Sequence, residues 1–190
     1  MMNNKSTGQA GRHRLADRGH DLYETPECAT LALIDAEKLP HDIWEPACGR
    51  GAIVRVLRKA GHRVVATDLV NFRCPNSTPG IDFLEVTGVP RAVQCVITNP
   101  PYKDAGAFVR KGLDLVPKVV MLMRLAFLES TGRSDILDGG KLAHVYVFRK
   151  RLPMMHRDGW KGNRASSSMC FAWFVWERAH RGPAIISRMG

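Results

Sequence analysis

Four consecutive residues, Asn99, Pro100, Pro101 and Tyr102, bring together an amide, two rings that lack N–H groups, and a phenol. Two prolines hold φ near −65° and donate no hydrogen bond. The carbonyl of Pro100 and the side chain of Asn99 therefore keep acceptor capacity for the two hydrogens of an NH₂ group. An NH₂ conjugated to a ring or a carbonyl is a poor nucleophile, because its lone pair is delocalised. Acceptors on both hydrogens draw it toward tetrahedral geometry and stabilise the positive charge that grows as it attacks. No strong base is needed, since the resulting cation is acidic enough to lose its proton to water. Tyr102 offers a face for a planar acceptor, and such stacking is worth roughly 1–3 kcal/mol for a base. The same tetrapeptide also suits a rigid strand-to-loop turn, so its place relative to a second motif decides what it means.

That second motif lies upstream. Glu45-Pro46-Ala47-Cys48-Gly49-Arg50-Gly51 follows a short apolar strand and precedes a helical pattern. Gly49 and Gly51 let the backbone approach a ligand closely and aim free N–H groups at it. Asp68 ends the next strand, where a carboxylate can accept the hydroxyls of a ribose. A dinucleotide fingerprint requires a third glycine, but Ala52, Ile53 and Val54 follow Gly51. Glu45 would repel a pyrophosphate and could pair with an ammonium. The expected ligand is S-adenosylmethionine, whose sulfonium supplies an electrophilic methyl to the amino group held by Asn99. Asp82 and Phe83 either extend this pocket around the adenine ring or form an ordinary short strand with one buried aromatic.

These motifs carry a family resemblance. Tyr23-Glu24-Thr25-Pro26, the turn from Glu45 to Gly51, Asp68, Asp82-Phe83 and Asn99-Pro100-Pro101-Tyr102 resemble, in order, the motifs of amino-group DNA methyltransferases. The resemblance is greatest to the small adenine-N6 type of phages and prophages. It spans residues 23–176 and implies a Rossmann-like class I methyltransferase fold. It also implies that Tyr23, Thr25 and Pro26 join the glycine turn (Ala47, Cys48, Gly49, Gly51) in holding the cofactor. Asn99 to Tyr102 would engage an extruded adenine. That family usually carries a separate target-recognition region. Too few residues follow Trp176 for one, so the expectation is a single methyltransferase domain over residues 22–190.

A cluster of cations near the end of the chain fits a polyanionic partner. Arg149, Lys150, Arg151, His156, Arg157, Lys161 and Arg164 crowd one connection, with Asp158 the single acid and Met154, Met155 and Trp160 interleaved. Cations track phosphates, and an aromatic side chain can brace an extruded base or fill the gap it leaves. Arg149, Lys150, Arg151, Arg157, Trp160, Lys161 and Arg164 are therefore the candidate nucleic-acid contacts. A solvated loop is the plainer alternative. The whole chain points the same way, with 28 Lys and Arg against 18 Asp and Glu, a formal charge of +10. DNA is the first expected partner and RNA the second.

The elements that must position these groups follow from periodicity and punctuation. Thr25-Pro26-Glu27 is a helix-start signature, with a hydroxyl at N-cap and proline at the first helical position. The helix it opens should run to about Lys38. A strand over 42–45 leads into the glycine turn. Ile53, Val56, Leu57 and Ala60 then mark a helix closed by Gly61. Further strands are expected at 63–67, 93–98 and 119–125, with a helix after Tyr102 that Pro117 terminates. A short helix near 134–137 and two last strands, 144–148 and 169–176, complete the pattern. Alternating strands and helices predict a three-layer α/β sheet, mainly parallel, with the final strand antiparallel. Trp173 and Trp176 belong to its core.

Other classes fit less well. The first 21 residues read as a flexible basic arm. No apolar run reaches the roughly 18 residues of a membrane span, which predicts a cytoplasmic protein without a membrane partner. Cys28, Cys48, Cys74, Cys95 and Cys170 are odd in number and contain no C-x-x-C pair, which argues against disulfides and zinc. The histidines show no metal spacing, so no metal is expected. A cytosine-C5 enzyme needs a Pro-Cys nucleophile, and here the order is Cys74-Pro75. A glutamine side chain or an RNA base would present the same NH₂, and a subunit that binds the cofactor without turning it over is a third alternative.

Overall fold

The computed structural model describes residues 23–90, 92–152 and 169–190. The basic arm and the central part of the late basic loop, with Met154, Met155, His156, Arg157, Asp158, Trp160, Lys161 and Arg164, lie outside the described residues. Among those described, eight strands form one sheet: β1 (Asp42–Glu45), β2 (Arg63–Asp68), β3 (Thr78–Pro79), β4 (Cys95–Thr98), β5 (Lys118–Arg124), β6 (Leu142–Phe148), β7 (Phe171–Glu177) and β8 (Ile185–Met189). Their spatial order is β3-β2-β1-β4-β5-β7-β6-β8. β1, β2, β3, β4 and β5 run parallel, whereas β7 is antiparallel to both β5 and β6. The insertion of a reversed β7 returns β6 and β8 to the direction of the parallel strands.

Alternation along the strands sends neighbouring side chains to two different cores. Ile43, Cys95, Ile97, Val120, Leu122, Trp173 and Val175 face one layer, which α1 (Glu27–Ala36) and α2 (Ala52–Lys59) cover with Ala29, Leu33, Ile53 and Leu57. Trp44, Val96, Val119, Met121, Phe174 and Trp176 face the other, covered by α3 (Ala105–Leu115) and α4 (Ser134–Leu137) through Phe108, Val109, Leu113 and Ile136. Both tryptophans of β7 are fully buried, and their indole N–H groups bond the carbonyls of Ala29 (2.8 Å) and Ile136 (2.7 Å). β7 is thereby tied to a helix on each face. None of the described helices is long and apolar enough to cross a membrane.

Several boundaries differ from expectation for local reasons. α1 begins one residue late, with Pro26 at N-cap and no side-chain cap, and the Thr25 hydroxyl accepts from Asn99 Nδ2. α2 ends as predicted: Gly61, at φ +93°, bonds the Arg58 carbonyl, and His62 bonds that of Leu57. Of the short strand or turn expected at 81–84, the structure has the turn, at 83–85. β3 arises instead in the loop after β2, where Thr78 and Pro79 pair with Thr67 and Asp68. The expected final strand, β7, is antiparallel, but β8 follows it and runs parallel to β6.

Candidate active site

At the carboxyl ends of β1, β2 and β4 lies an open cleft. It is lined by Tyr23, Glu24 and Thr25 before α1, by Glu45, Ala47, Cys48, Gly49 and Arg50 in the first turn, and by Ala52 and Ile53 of α2. Asp68, Leu69, Val70 and Phe72 after β2, and Asn99, Pro100, Pro101 and Tyr102 after β4, complete it. Residues that are up to 79 positions apart in sequence are thus collected because parallel strands all deliver their following loops to one edge.

The glycine turn is built from within. Gly49 and Gly51 both adopt the left-handed region, φ +53° and +82°. A Cβ on Gly51 would lie 2.6 Å from the Cys74 sulfur, so any larger residue must displace that thiol. Cys48 N–H bonds the Thr67 carbonyl (3.0 Å) and Gly51 N–H that of Cys48 (2.7 Å), which anchors the turn to β2. Gly49 N–H donates to Asp68 Oδ2 (2.8 Å) and Val70 N–H to Oδ1 (2.9 Å). The carboxylate is held rigid by these bonds, and each oxygen retains a lone pair.

Glu45 is 2% exposed, and the Val54 N–H in the first turn of α2 donates to its side chain. Its other oxygen, Oε2, is buried without a partner among the described residues. Burial, reinforced by the charge of Asp68, pushes the Glu45 carboxyl well above its ordinary range. A cationic group in the cleft would relieve both conditions, supplying the missing bond and favouring the ionised acid.

Asn99 is oriented by the segment before α1. Its Nδ2 donates to the Tyr23 carbonyl (3.2 Å) and to Thr25 Oγ1 (3.3 Å). Because a carbonyl can only accept, the NH₂ must face Tyr23, and Oδ1 lies on the opposite side of the amide, buried and unpartnered among the described residues. The turn that follows is closed by Asp104 N–H on the Pro101 carbonyl (3.0 Å), so that bond does not consume the carbonyl of Pro100. Tyr102 is half-buried among Tyr23 (ring centroids 5.4 Å apart), Phe171 (6.4 Å) and Arg124, whose guanidinium carbon stands 4.4 Å from the ring centre.

Most residues singled out in the sequence meet here, but some do not. Pro26 caps α1 and Gly51 caps α2, and neither lines the cleft. Asp82 and Phe83 stand apart from it as well. The Asp82 carboxylate bonds Leu84 N–H (2.9 Å) in its own turn. Phe83, 2% exposed, is wedged between Trp44 (5.2 Å) and Phe108 (5.0 Å). Of the two expectations for this pair, the buried aromatic holds. Arg149, Lys150 and Arg151 are exposed at the carboxyl end of β6, which is the same edge of the sheet. Arg124 and Phe171 were not anticipated. A cation that ends an apolar run, 119–123, is the signal that marks Arg124 in the sequence.

No protein-family model matches the chain, and no curated protein does. Solved structures do. Their likeness to this chain, a sheet with one reversed strand set between parallel ones, is one of fold. A candidate RNA methyltransferase of Pyrococcus horikoshii superposes with a TM-score of 0.59 at 16% identity, over 83% of this chain and 87% of that one. The 23S rRNA methyltransferase ErmE gives 0.55 at 16% identity, over 85% and 71%. A candidate hemolysin of Lactococcus lactis gives 0.57 at 10% identity, over 87% and 94%. Proteins with different names share the fold, so the chemistry must be argued from the site.

Proposed function

We propose that this chain is an S-adenosylmethionine-dependent N-methyltransferase whose acceptor is the exocyclic amino group, N6, of adenine in DNA. The observation that carries the proposal is the Asn99 amide: its NH₂ is committed to Tyr23 and Thr25, which leaves Oδ1 buried and, among the described residues, unpartnered. A residue with a purely structural task would not leave that acceptor unused at a ligand-binding edge.

The residues present fit the cofactor. Glu45 Oε2 is an orphaned acceptor suited to an amino-acid ammonium, and Asp68 is a fixed acceptor suited to ribose hydroxyls. Gly49 keeps the wall between them thin. When bound, the cofactor supplies an electrophilic methyl. The chain's own residues do the rest. Asn99 Oδ1 and the Pro100 carbonyl accept the two hydrogens of the acceptor amine and stabilise its growing positive charge, and Tyr102 gives the planar ring a surface. The proton released afterwards goes to water.

DNA is favoured by the ordered resemblance of Tyr23 to Pro26, Glu45 to Gly51 and Asn99 to Tyr102 to adenine-N6 DNA methyltransferases. An RNA acceptor is the second reading, supported by the 23S rRNA methyltransferase and the candidate RNA methyltransferase among the structural neighbours. The test is incubation with methyl-labelled cofactor and, in parallel, DNA, RNA and glutamine-containing protein, followed by digestion and mass spectrometry. N6-methyladenine from DNA supports the proposal. Label in RNA alone moves the acceptor to RNA, label in protein alone moves it to a glutamine side chain, and no label in any pool overturns the activity.

A further inference from the structure

Several cations in this structure are matched to acceptors. Arg110 is paired with Asp135, Lys118 with Glu37 and Glu177, and Arg178 with the carbonyls of Leu113 and Asp114. Arg124 differs. It is half-buried at the carboxyl end of β5, its Nε is buried with no hydrogen-bond partner, and no acid pairs with it among the described residues. Its described contact is the ring of Tyr102, over which the guanidinium lies at 4.4 Å. The backbone beside it is fixed, with Leu125 N–H bonding the Cys170 carbonyl (2.9 Å). A half-buried charge with no counter-ion is costly to keep unless a ligand completes it.

The sheet order says which ligand. Tyr102 follows β4, Arg124 ends β5, and Arg149, Lys150 and Arg151 follow β6, with β7 between. Strands lie about 4.8 Å apart, so Arg124 stands about one strand spacing from the Tyr102 loop and about two from the exposed cations. The unmatched guanidinium therefore lies on the line from the acceptor site to a positive surface, the path a polynucleotide backbone would take. A planar guanidinium matches the geometry of a phosphate oxygen pair.

Resting on the proposed acceptor, we infer that Arg124 is the ligand for the phosphodiester of the extruded nucleotide. In the absence of substrate the guanidinium covers the ring face of Tyr102. On substrate entry the base takes that face, and the guanidinium moves to the phosphate, where Nε gains its acceptor.

The experiment compares the parent, Arg124→Gln and Arg124→Lys in fluorescence anisotropy with a mixed-sequence oligonucleotide across a salt series. Calorimetry with S-adenosylmethionine and thermal melting are run alongside. Arg124→Gln is expected to bind the oligonucleotide about tenfold more weakly and to reduce the slope of log affinity against log salt by ~0.7–0.9, the contribution of one phosphate. Its melting temperature and cofactor affinity stay at the parent's values. Arg124→Lys keeps the charge and most of the slope. An unchanged slope in Arg124→Gln, a lost slope in a folded Arg124→Lys, or a fall in cofactor affinity equal to the fall in oligonucleotide affinity would each overturn the assignment. A parent that binds no polynucleotide defeats the nucleic-acid acceptor itself. A parent that binds and methylates while Arg124→Gln matches it defeats only the role of Arg124.

Discussion

The two ends of the central sheet treat buried polar groups in opposite ways. At the amino-terminal end, Lys118 Nζ reaches Glu37 Oε1 (2.7 Å), the Lys38 carbonyl (3.0 Å) and Glu177 Oε1 (3.0 Å), and Tyr146 Oη donates to Glu37 Oε2 (3.0 Å). Burial lowers the Lys118 amine, but its bonds to Glu37 and Glu177 outweigh this, so it is raised overall and stays charged. His144 is the partial exception, with its buried Nδ1 3.7 Å from Glu37 Oε2 and outside hydrogen-bond reach. At the carboxyl-terminal end, Glu45 Oε2, Asn99 Oδ1 and Arg124 Nε are all buried and unpartnered among the described residues. One end spends its polar groups on binding α1 to β5 and β6. The other leaves an acid, an amide and a cation with bonding capacity, and this is the arrangement expected where ligands complete the structure.

Breaking each end should have a different signature. The largest effect belongs to Asn99→Ala: transfer falls by about 10²–10³-fold, the range for loss of one preorganised group acting on developing charge. Cofactor affinity measured by calorimetry stays within a few-fold. Parent-like turnover would remove Asn99 from the chemistry. Lys118→Ala attacks the satisfied end. It leaves Glu37, whose side chain is 8% exposed, without its cation, and costs about 3 kcal/mol of stability in denaturant unfolding. Cofactor affinity under native conditions is unaffected.

A pH series sharpens the contrast. The Glu45 carboxyl is raised in the folded chain above its ordinary 4.5, so the folded state holds the proton more tightly than the unfolded one. Its favourable contribution is full below 4.5 and is lost as pH rises toward the folded value. The melting temperature of the ligand-free parent should therefore fall over that window more steeply than that of Glu45→Gln. Cofactor binding, by favouring the ionised acid, should release up to about one proton. Calorimetry in buffers of different ionisation enthalpy detects that release, and Glu45→Gln abolishes it. The smallest effect is that of Thr25→Val, which removes one of two acceptors for Asn99 Nδ2. A bond of about 1 kcal/mol corresponds to roughly fivefold, and it should appear in kcat rather than KM, because Thr25 acts through Asn99.

The sheet and the order of the motifs were legible in the sequence because they depend on local signals. Apolar runs with Val or Ile mark β2, β4 and β5, Gly61 and Pro117 stop their helices, Gly49 and Gly51 lie in the turn between β1 and α2, and Asp68 and Asn99 sit at strand ends. β8 was not legible. Ile185 and Ile186 are exposed on an edge strand, so the segment lacks the buried alternation that identifies its neighbours. Phe83 could not be assigned either, since an aromatic beside a motif acid looks the same in sequence whether it meets a ligand or, as here, Trp44 and Phe108. The bond from Asn99 to Thr25 joins segments 74 residues apart. Sequence shows both residues, but only the fold shows that one orients the other.

The proposed chemistry requires first that the cleft at the carboxyl ends of β1 and β2 take up the methyl donor. Titration of S-adenosylmethionine into the purified chain, with Asp68→Ala as the comparison, tests this in one calorimetric experiment. The predicted result is saturable binding at one site per chain that Asp68→Ala weakens by at least tenfold. No saturable heat from the parent, or an Asp68→Ala variant that binds as tightly, would contradict it.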